Sequence, residues 1–266
     1  MCGRVRLSSD VSEIKLVFSI PPHRPTSNFP PSWNVAPTDQ LPVVRHDRKA
    51  GERGLDLLRW GLVPYWAKDL NVGFANINAK AEGVENRPAF RAAFQRRRCI
   101  VPVDSFYEWK KTGTGKQPYA IALADGSLMA LAGLWENWRS PAGEWVRSFA
   151  IVTTTPNELC AELHNRMPVV LKPETWSVCL GKTLRMTLLA EIHEAGVDLA
   201  LYLAVGVFRD TDAARSSNAF KPGGDVDAVT QDVVALNQDV SEVDADAQSH
   251  TAIVRYVDIL LSRRPL

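Results

Sequence analysis

At 266 residues, with 45% hydrophobic and 23% charged side chains, the chain has the composition of a globular protein that buries a full core without needing disulfides or a structural metal. A formal net charge of +1 excludes a globally basic or acidic footprint, so an anionic partner must be met by a local patch. Cys2, Cys99, Cys160 and Cys179 show no C-x-x-C pair and no zinc-ligand spacing, there is no signal segment, and no apolar run approaches the ~20 residues of a membrane span, so we expect a reduced, cytoplasmic protein with no membrane, metal or cofactor.

The chain opens MCGRVRL. Loss of Met1 leaves Cys2 with an α-amine that ordinarily titrates near ~7.7–8.0 and a thiol near ~8.5. Two chemistries are open to that pair. The amine can condense with an aldehyde and the thiol close onto the imine carbon as a thiazolidine, or the amine can act as base for the thiol, as in N-terminal-nucleophile hydrolases.

Residues 10–19, DVSEIKLVFS, have apolar residues at helical spacing behind an Asp/Ser start and predict a short helix. The proline-rich IPPHRPTSNFPPSWNVAPTDQ predicts an irregular loop or edge structure. LPVVRH reads as a strand, and LDLLRWGLVPYW as another that turns at Pro64. GFANINAKAE, residues 73–82, is loop-like, and ENRPAFRAAFQRRR predicts a helix that starts near Pro88, with Ala89, Phe90, Ala93 and Phe94 on one face.

CIVPVDSFYEWKK, YAIALAD, LMALAGLWENW and EWVRSFAIVTTT then read as strands, with the D-G at 125–126 as a hairpin turn between the second and third. PNELCAELH predicts a short helix, RMPVVL a strand and KPETWSVCLG another helix. Between Lys221 and His250 lie seven acidic residues, one Lys and no aromatic, which reads as a solvated tail or an appended helix. TAIVRYVDILLSRRPL returns to an apolar pattern that can dock on the domain.

Several side chains are candidates for chemistry. His164 follows a predicted helix, as a dipole-satisfying cap or a general acid/base. Glu108 interrupts an apolar strand, so it faces water or a site, or has its pKa raised. Asn78, in NINAK, is a turn former or an amide donor to a hydroxyl or carbonyl. Arg4, Arg6, Arg59, Lys80, the Arg96–Arg98 run, Lys110, Lys111 and Arg166 are candidates for a phosphate track, and Trp33, Trp60, Tyr65 and Trp66 for base stacking or core packing. The Arg96–Arg98 run reads first as a solvated helix end.

Taken in order, MCGR, W-N-V-A-P, R-W-G-L-V-P-x-W, N-A-K-A-E, P-A-F-R, C-I-V-P-V-D-S-F-Y-E-W-K and L-H-N-R-M-P-V resemble the SOS-response-associated peptidase (SRAP) family of YedK- and HMCES-like abasic site processing proteins, collinearly over residues 2–180. The resemblance implies an α+β fold with a curved, antiparallel, barrel-like sheet and flanking helices, which the hairpin-rich middle supports independently. It implies sensing of abasic sites in single-stranded DNA through a covalent thiazolidine crosslink at Cys2. Asn78 then orients the reacting sugar, Glu108 moves protons, and His164 assists ring opening and reversal. By the same resemblance Arg4 and Arg166 contact phosphate, Thr153 contacts the DNA backbone, Trp66 lies on the DNA surface, and Asn34 and Pro37 wedge against a displaced strand.

Two departures stand out. Lys80 replaces an arginine, keeping the charge but losing the forked donor geometry. The family's closing W-P-V-S strand and its asparagine-rich loop are missing, and LYLAVGVFRD is the candidate to fill that place. We expect a catalytic domain over 1–215, a divergent acidic tail over 216–266, and a monomer that works on DNA in the cytoplasm, at the nucleoid when bound. The resemblance also implies peptidase or hydrolase and lyase-like activity. A thiol peptidase that uses Cys2 with His164 and Glu108, with self-removal of Met1 as its sole proteolytic event, and a non-catalytic single-strand binder with a silent Cys2 are the alternatives.

Overall fold

In the computed structural model of the chain, residues 2–113, 115–181, 199–204 and 253–255 are described. Five strands close into a barrel: β3 (Gln40–Asp47), β4 (Glu52–Trp60), β6 (Arg98–Val103), β9 (Met129–Arg139) and β10 (Trp145–Thr154). Their order is β10-β4-β3-β6-β9, with β9 pairing back to β10; only the β4–β10 pair is parallel. A second sheet stays open. It holds β1 (Val5–Leu7), β2 (Ser32–Val35), β7 (Ser105–Thr112), β8 (Gly115–Leu123), β12 (Leu199–Ala204) and β13 (Ile253–Arg255), in the order β13-β12-β8-β7-β1-β2. With four short α-helices among the described residues, the architecture is the expected α+β one, built around a curved barrel.

Local chemistry accounts for most elements. Helix α1 (Val11–Val17) is capped by the Asp10 carboxylate, which accepts from the Glu13 N–H at 2.9 Å. The proline-rich stretch contributes the edge strand β2, whose four residues SWNV fall between Pro31 and Pro37 and so keep every ladder N–H. Trp60, Phe149, Phe106, Tyr107 and Phe18 are fully buried.

Several expectations change. Residues 99–111 are two strands, because the chain switches from barrel to open sheet at Asp104. That carboxylate accepts from the Ser8 N–H at 2.5 Å, the Ser8 hydroxyl at 2.7 Å and the Ser9 hydroxyl at 2.8 Å, so the corner is pinned from the first strand. The Asp125–Gly126 turn is present, with Gly126 at φ +74°, but β8 and β9 do not pair. Neighbours β7 and β12 already take both edges of β8, and β6 and β10 take both edges of β9. A reversal of direction is local, whereas pairing is decided by which edges remain open.

The segment expected to be a loop holds a 3-10 helix, Leu70–Asn76, and a short strand, β5 (Asn78–Lys80), parallel to β10. Gly61, at φ +118°, and Gly73 let the 3-10 helix touch the end of β4. A Cβ at Gly61 would lie 2.8 Å from the Gly73 carbonyl oxygen, and one at Gly73 2.6 Å from that of Gly61. The helix expected near Pro88 begins later, as α2 (Arg91–Arg96). RMPVVL supplies only β11 (Met167–Pro168), which pairs with β10. Helices α3 (Glu158–Ala161) and α4 (Pro173–Leu180) lie where expected.

LYLA of the candidate replacement strand forms β12 beside β8, in antiparallel register from Leu199↔Leu123 to Leu203↔Tyr119. From the C-terminal apolar stretch, β13 pairs with β12. The domain boundary near 215 and the acidic run lie outside the described residues. No helix among the described residues is long and apolar enough to cross a membrane.

The Arg96–Arg98 run is not a solvated helix end throughout. Arg98 is buried, and it donates to the carbonyls of Phe94 (2.8 Å), Gln95 (3.2 Å), Cys179 (2.9 Å) and Gly181 (2.6 Å). One guanidinium thus satisfies the open carbonyl ends of α2 and α4 together. Arg98→Met should cost about 2–3 kcal/mol, because it strips the donors from buried carbonyls. A lower urea midpoint at unchanged m-value is the expected readout, and an unchanged midpoint contradicts this role.

Candidate active site

Cys2 is fully buried just ahead of β1. Strand β1 runs antiparallel to β7, with Val5 opposite Phe106 and Arg6 opposite Ser105. The Tyr107 N–H donates to the Arg4 carbonyl at 2.9 Å. Continued by two residues, that register sets Glu108 opposite Gly3, beside Cys2. The sequence places a carboxylate in an apolar strand; the strand pairing makes it a neighbour of the first cysteine.

Asn78 reaches the same point from the barrel. The Trp60 indole donates to the Ile77 carbonyl at 3.0 Å, and the Ile151 N–H to the same oxygen at 3.1 Å. The residue before Asn78 is therefore fixed from both sides. Asn78 lies opposite Ile151 in the β5–β10 register, and its Nδ2 donates to the Cys2 carbonyl at 2.7 Å. Its Oδ1 is buried with no hydrogen-bond partner among the described residues, an acceptor ready for an incoming hydroxyl.

His164 sits past the end of α3, its N–H donating to the Cys160 carbonyl at 2.9 Å. Its Nδ1 accepts from the Arg166 N–H at 3.0 Å. In the neutral ring the proton therefore resides on Nε2, which can donate it. Burial pulls the His164 pKa down, helped by the positive charge at the chain start. Burial pushes the Glu108 carboxyl up, partly offset by that same charge, and pushes the Cys2 thiol far up, with Glu108 adding to the effect. All three groups are thereby biased toward their neutral forms.

Around this centre the expected DNA contacts separate into two sets. Arg4 donates to the Asn34 Oδ1 at 2.6 Å, so β1 and β2 are tied at the mouth. Pro37 is half-buried two residues beyond β2, and Lys80 is exposed at the end of β5. Trp66 is 52% and Tyr65 64% exposed on the loop after β4. Arg166, by contrast, is engaged internally. It forms a bidentate pair with Glu82, at 2.9 and 2.8 Å, and donates to the Thr153 carbonyl at 2.5 Å. Thr153 itself is fully buried. Trp60 belongs to the core, and Arg59 lies at the end of β4, opposite Ser148 and three residues from Ile151 in the β10 register. Lys110 pairs with Glu162 at 3.4 Å, and Lys111 is exposed further along β7.

Three residues near the site had no signal in the sequence. Glu82 anchors Arg166, and Asp104 clamps the corner. Cys160 has its thiol pushed up to about 12 by burial and by the nearby Glu108. Only the i, i+2 spacing of Lys80 and Glu82 hints at a shared strand face. Among the described residues no three His, Cys, Asp or Glu side chains are grouped to hold a metal.

A family model described as SOS response associated peptidase (SRAP) matches residues 1–200. The chain is 43% identical over 175 residues to the abasic site processing protein YoqW of Bacillus subtilis (strain 168), spanning 65% of this chain and 77% of that one. It is 27% identical over 209 residues to the abasic site processing protein HMCES of Gallus gallus, spanning 64% of this chain and 62% of that one. Among solved structures, a Bacteroides thetaiotaomicron protein superposes with a TM-score of 0.67 at 23% identity, covering 77% of this chain and 93% of that one, and shows the same fold.

The Glu108 shift predicts a pH dependence. A carboxyl with a raised folded-state pKa binds more protons folded than unfolded in the interval between the two pKa values, so stability falls as pH rises through that interval. Glu108→Gln removes this penalty. Its thermal midpoint should match the parent near pH 4 and exceed it increasingly toward neutral pH; parallel curves at every pH contradict the assignment.

Proposed function

Because the chain belongs to the SOS response associated peptidase family, we propose that it captures abasic sites in single-stranded DNA as a covalent thiazolidine on Cys2, after Met1 is removed. The observation that carries this reading is the 2.7 Å bond from Asn78 to the Cys2 carbonyl, with the buried Glu108 carboxyl alongside. Cleavage of Met1 turns the Cys2 amide nitrogen into an amine held in that position.

The reaction balances with the loss of one water. The open-chain abasic sugar presents an aldehyde. The amine lone pair adds to its carbonyl carbon, and the carbinolamine loses water to give an imine. The Cys2 S–H then adds across C=N: sulfur bonds to carbon, the proton ends on nitrogen, and a five-membered ring closes. Glu108, favoured in its protonated form, can give a proton to the departing hydroxyl and take one back. His164, with its proton on Nε2, can donate to the ring oxygen of the closed sugar as it opens. The free Oδ1 of Asn78 can accept a sugar hydroxyl.

The elevated Cys2 pKa supports attack by the amine first. A thiolate peptidase needs a lowered thiol pKa, and burial beside a carboxyl does the reverse. Strand contact is assigned to Arg4, Asn34, Pro37, Trp66 and Lys80, a reading that the Arg4–Asn34 bond and the exposure of Trp66 and Lys80 support, and Arg166, held by Thr153, donates its N–H to His164. Little base readout is needed, because the lesion is itself a missing base. The protein acts as a monomer in the cytoplasm, on DNA and without a cofactor.

Single-stranded DNA carrying one abasic site should give a heat-stable adduct that shifts on a denaturing gel. Cys2→Ala should abolish it, and Glu108→Gln should slow its formation by about 100-fold. An adduct that persists in Cys2→Ala, or equal retention of intact and abasic strands under denaturing conditions, overturns the reading.

A further inference from the structure

The far end of the barrel carries a second groove that the capture chemistry does not use. It is open, about 650 Å³ in volume, and lined by Thr38, Gln40, Arg59, Leu70, Trp145 and Arg147, with the Leu57 and Val146 side chains as its apolar walls. No carboxylate lines it. Trp145 is 68% exposed, although it begins a strand whose later residues are core. The Arg139 guanidinium lies 5.8 Å from the Trp145 ring, and that of Arg59 5.8 Å from the ring of the exposed Phe74. The nearest acid to Arg147 is Asp56 at 3.4 Å, and that carboxylate is already held by Arg45 through contacts of 3.1 and 2.5 Å. One carboxylate shared by two guanidiniums leaves a net positive charge.

Asp39 acts on Arg59 as Asp56 does on Arg147, so the guanidiniums of Arg45, Arg59, Arg139 and Arg147 still outnumber the carboxylates that meet them. Exposed aromatic rings beside that excess suit a polyanion with flat faces, which is what single-stranded nucleic acid offers. Continuity with the capture site favours that partner further. Thr38 directly follows Pro37, and Leu70 opens the 3-10 helix that ends at Asn76, two residues before Asn78. On β10, Arg147 and Trp145 lie four and six residues before Ile151, the partner of Asn78. At ~3.3 Å per residue that is roughly 13–20 Å, or about four to six nucleotides at ~3.4 Å per base. The exposed Tyr65 and Trp66 flank the path, since the Trp138 indole, opposite Val146, donates to the Ala67 carbonyl at 2.8 Å.

We propose that the groove between Trp145 and Arg59 is a second subsite for single-stranded DNA, which stacks a base on Trp145 and holds the flanking phosphates on Arg147 and Arg59. It rests on the abasic-site reading for the identity of the strand and adds a flank-length requirement to it. Nucleotides a few positions from the lesion would then set affinity, while Cys2 sets the chemistry.

Binding of lesion-free labelled single strands, followed by fluorescence anisotropy across a salt series, separates the subsite from the capture step. Trp145→Ala should weaken a strand of about 20 nucleotides at least about fivefold, and Trp145→Phe should retain most of that affinity. Arg147→Ala should lower the salt slope by about 0.7. Crosslinking of a short abasic strand with about two nucleotides on each side should be unchanged in these variants. Parental affinity and parental salt slope in both Ala variants overturn the subsite. A parent protein that binds long strands through Trp145 but never forms the Cys2 adduct leaves the subsite standing and removes the capture chemistry instead.

Discussion

The bond from the Asn78 side chain to the Cys2 carbonyl joins the two sheets of this protein. Cys2 leads into β1 of the open sheet, and Asn78 belongs to β5, which runs along the barrel strand β10. A chain terminus is the segment most prone to fray. Here it is held on three sides, by β2, by β7 and by an amide from the other sheet. The Asp104 corner secures the same junction lower down, where the chain leaves the barrel and its carboxylate grips Ser8 and Ser9. In the proposed capture an aminothiol must meet its electrophile in one orientation, and a seam fixed from both sheets is suited to hold it.

Burial sets the electrostatics of the seam. A buried carboxyl and thiol and a half-buried imidazole meet there, and the first two are pushed up while the third is pulled down. The common cause is the cost of a charge in a low-dielectric interior. Imine formation and ring closure pass through neutral nucleophiles and proton transfers, which that environment favours. A charge-separated thiolate–imidazolium pair is disfavoured by the same term. The cationic groups sit outside this neutral centre. Arg4 is bonded to Asn34, Arg166 is locked to Glu82, and Arg59 and Arg147 lie three and four residues back along the β10 register from Asn78.

Where the sequence misled, the cause was competition for edges. Asp125–Gly126 is a good hairpin dipeptide and does reverse the chain, yet β8 and β9 part company because each has both edges occupied by other strands. The run from Cys99 to Lys111 carries an unbroken β-pattern, and only the serines at 8 and 9 waiting for Asp104 explain its division. Arg98 looked like a solvated charge; it is a buried donor because two helices end with open carbonyls around it. In each case the deciding partner is far away in the chain and leaves no local mark.

The residue types and their order determined the candidate groups: a cysteine behind Met1 at Cys2, a carboxyl inside an apolar strand at Glu108, an imidazole after a helix at His164 and an amide at Asn78. Ionisation, hydropathy and turn preference are local properties, and they can be read from single residues and short stretches. Tertiary structure alone decided that Asn78 touches Cys2, that Glu108 stands opposite Gly3, and that Arg166 is held by Glu82 and by the Thr153 carbonyl. Those facts depend on strand register and sheet closure, which join residues 76, 84 and 105 positions apart. At such distances in the chain the pairing is set by the whole set of available edges and buried faces, and no stretch of sequence carries that information by itself.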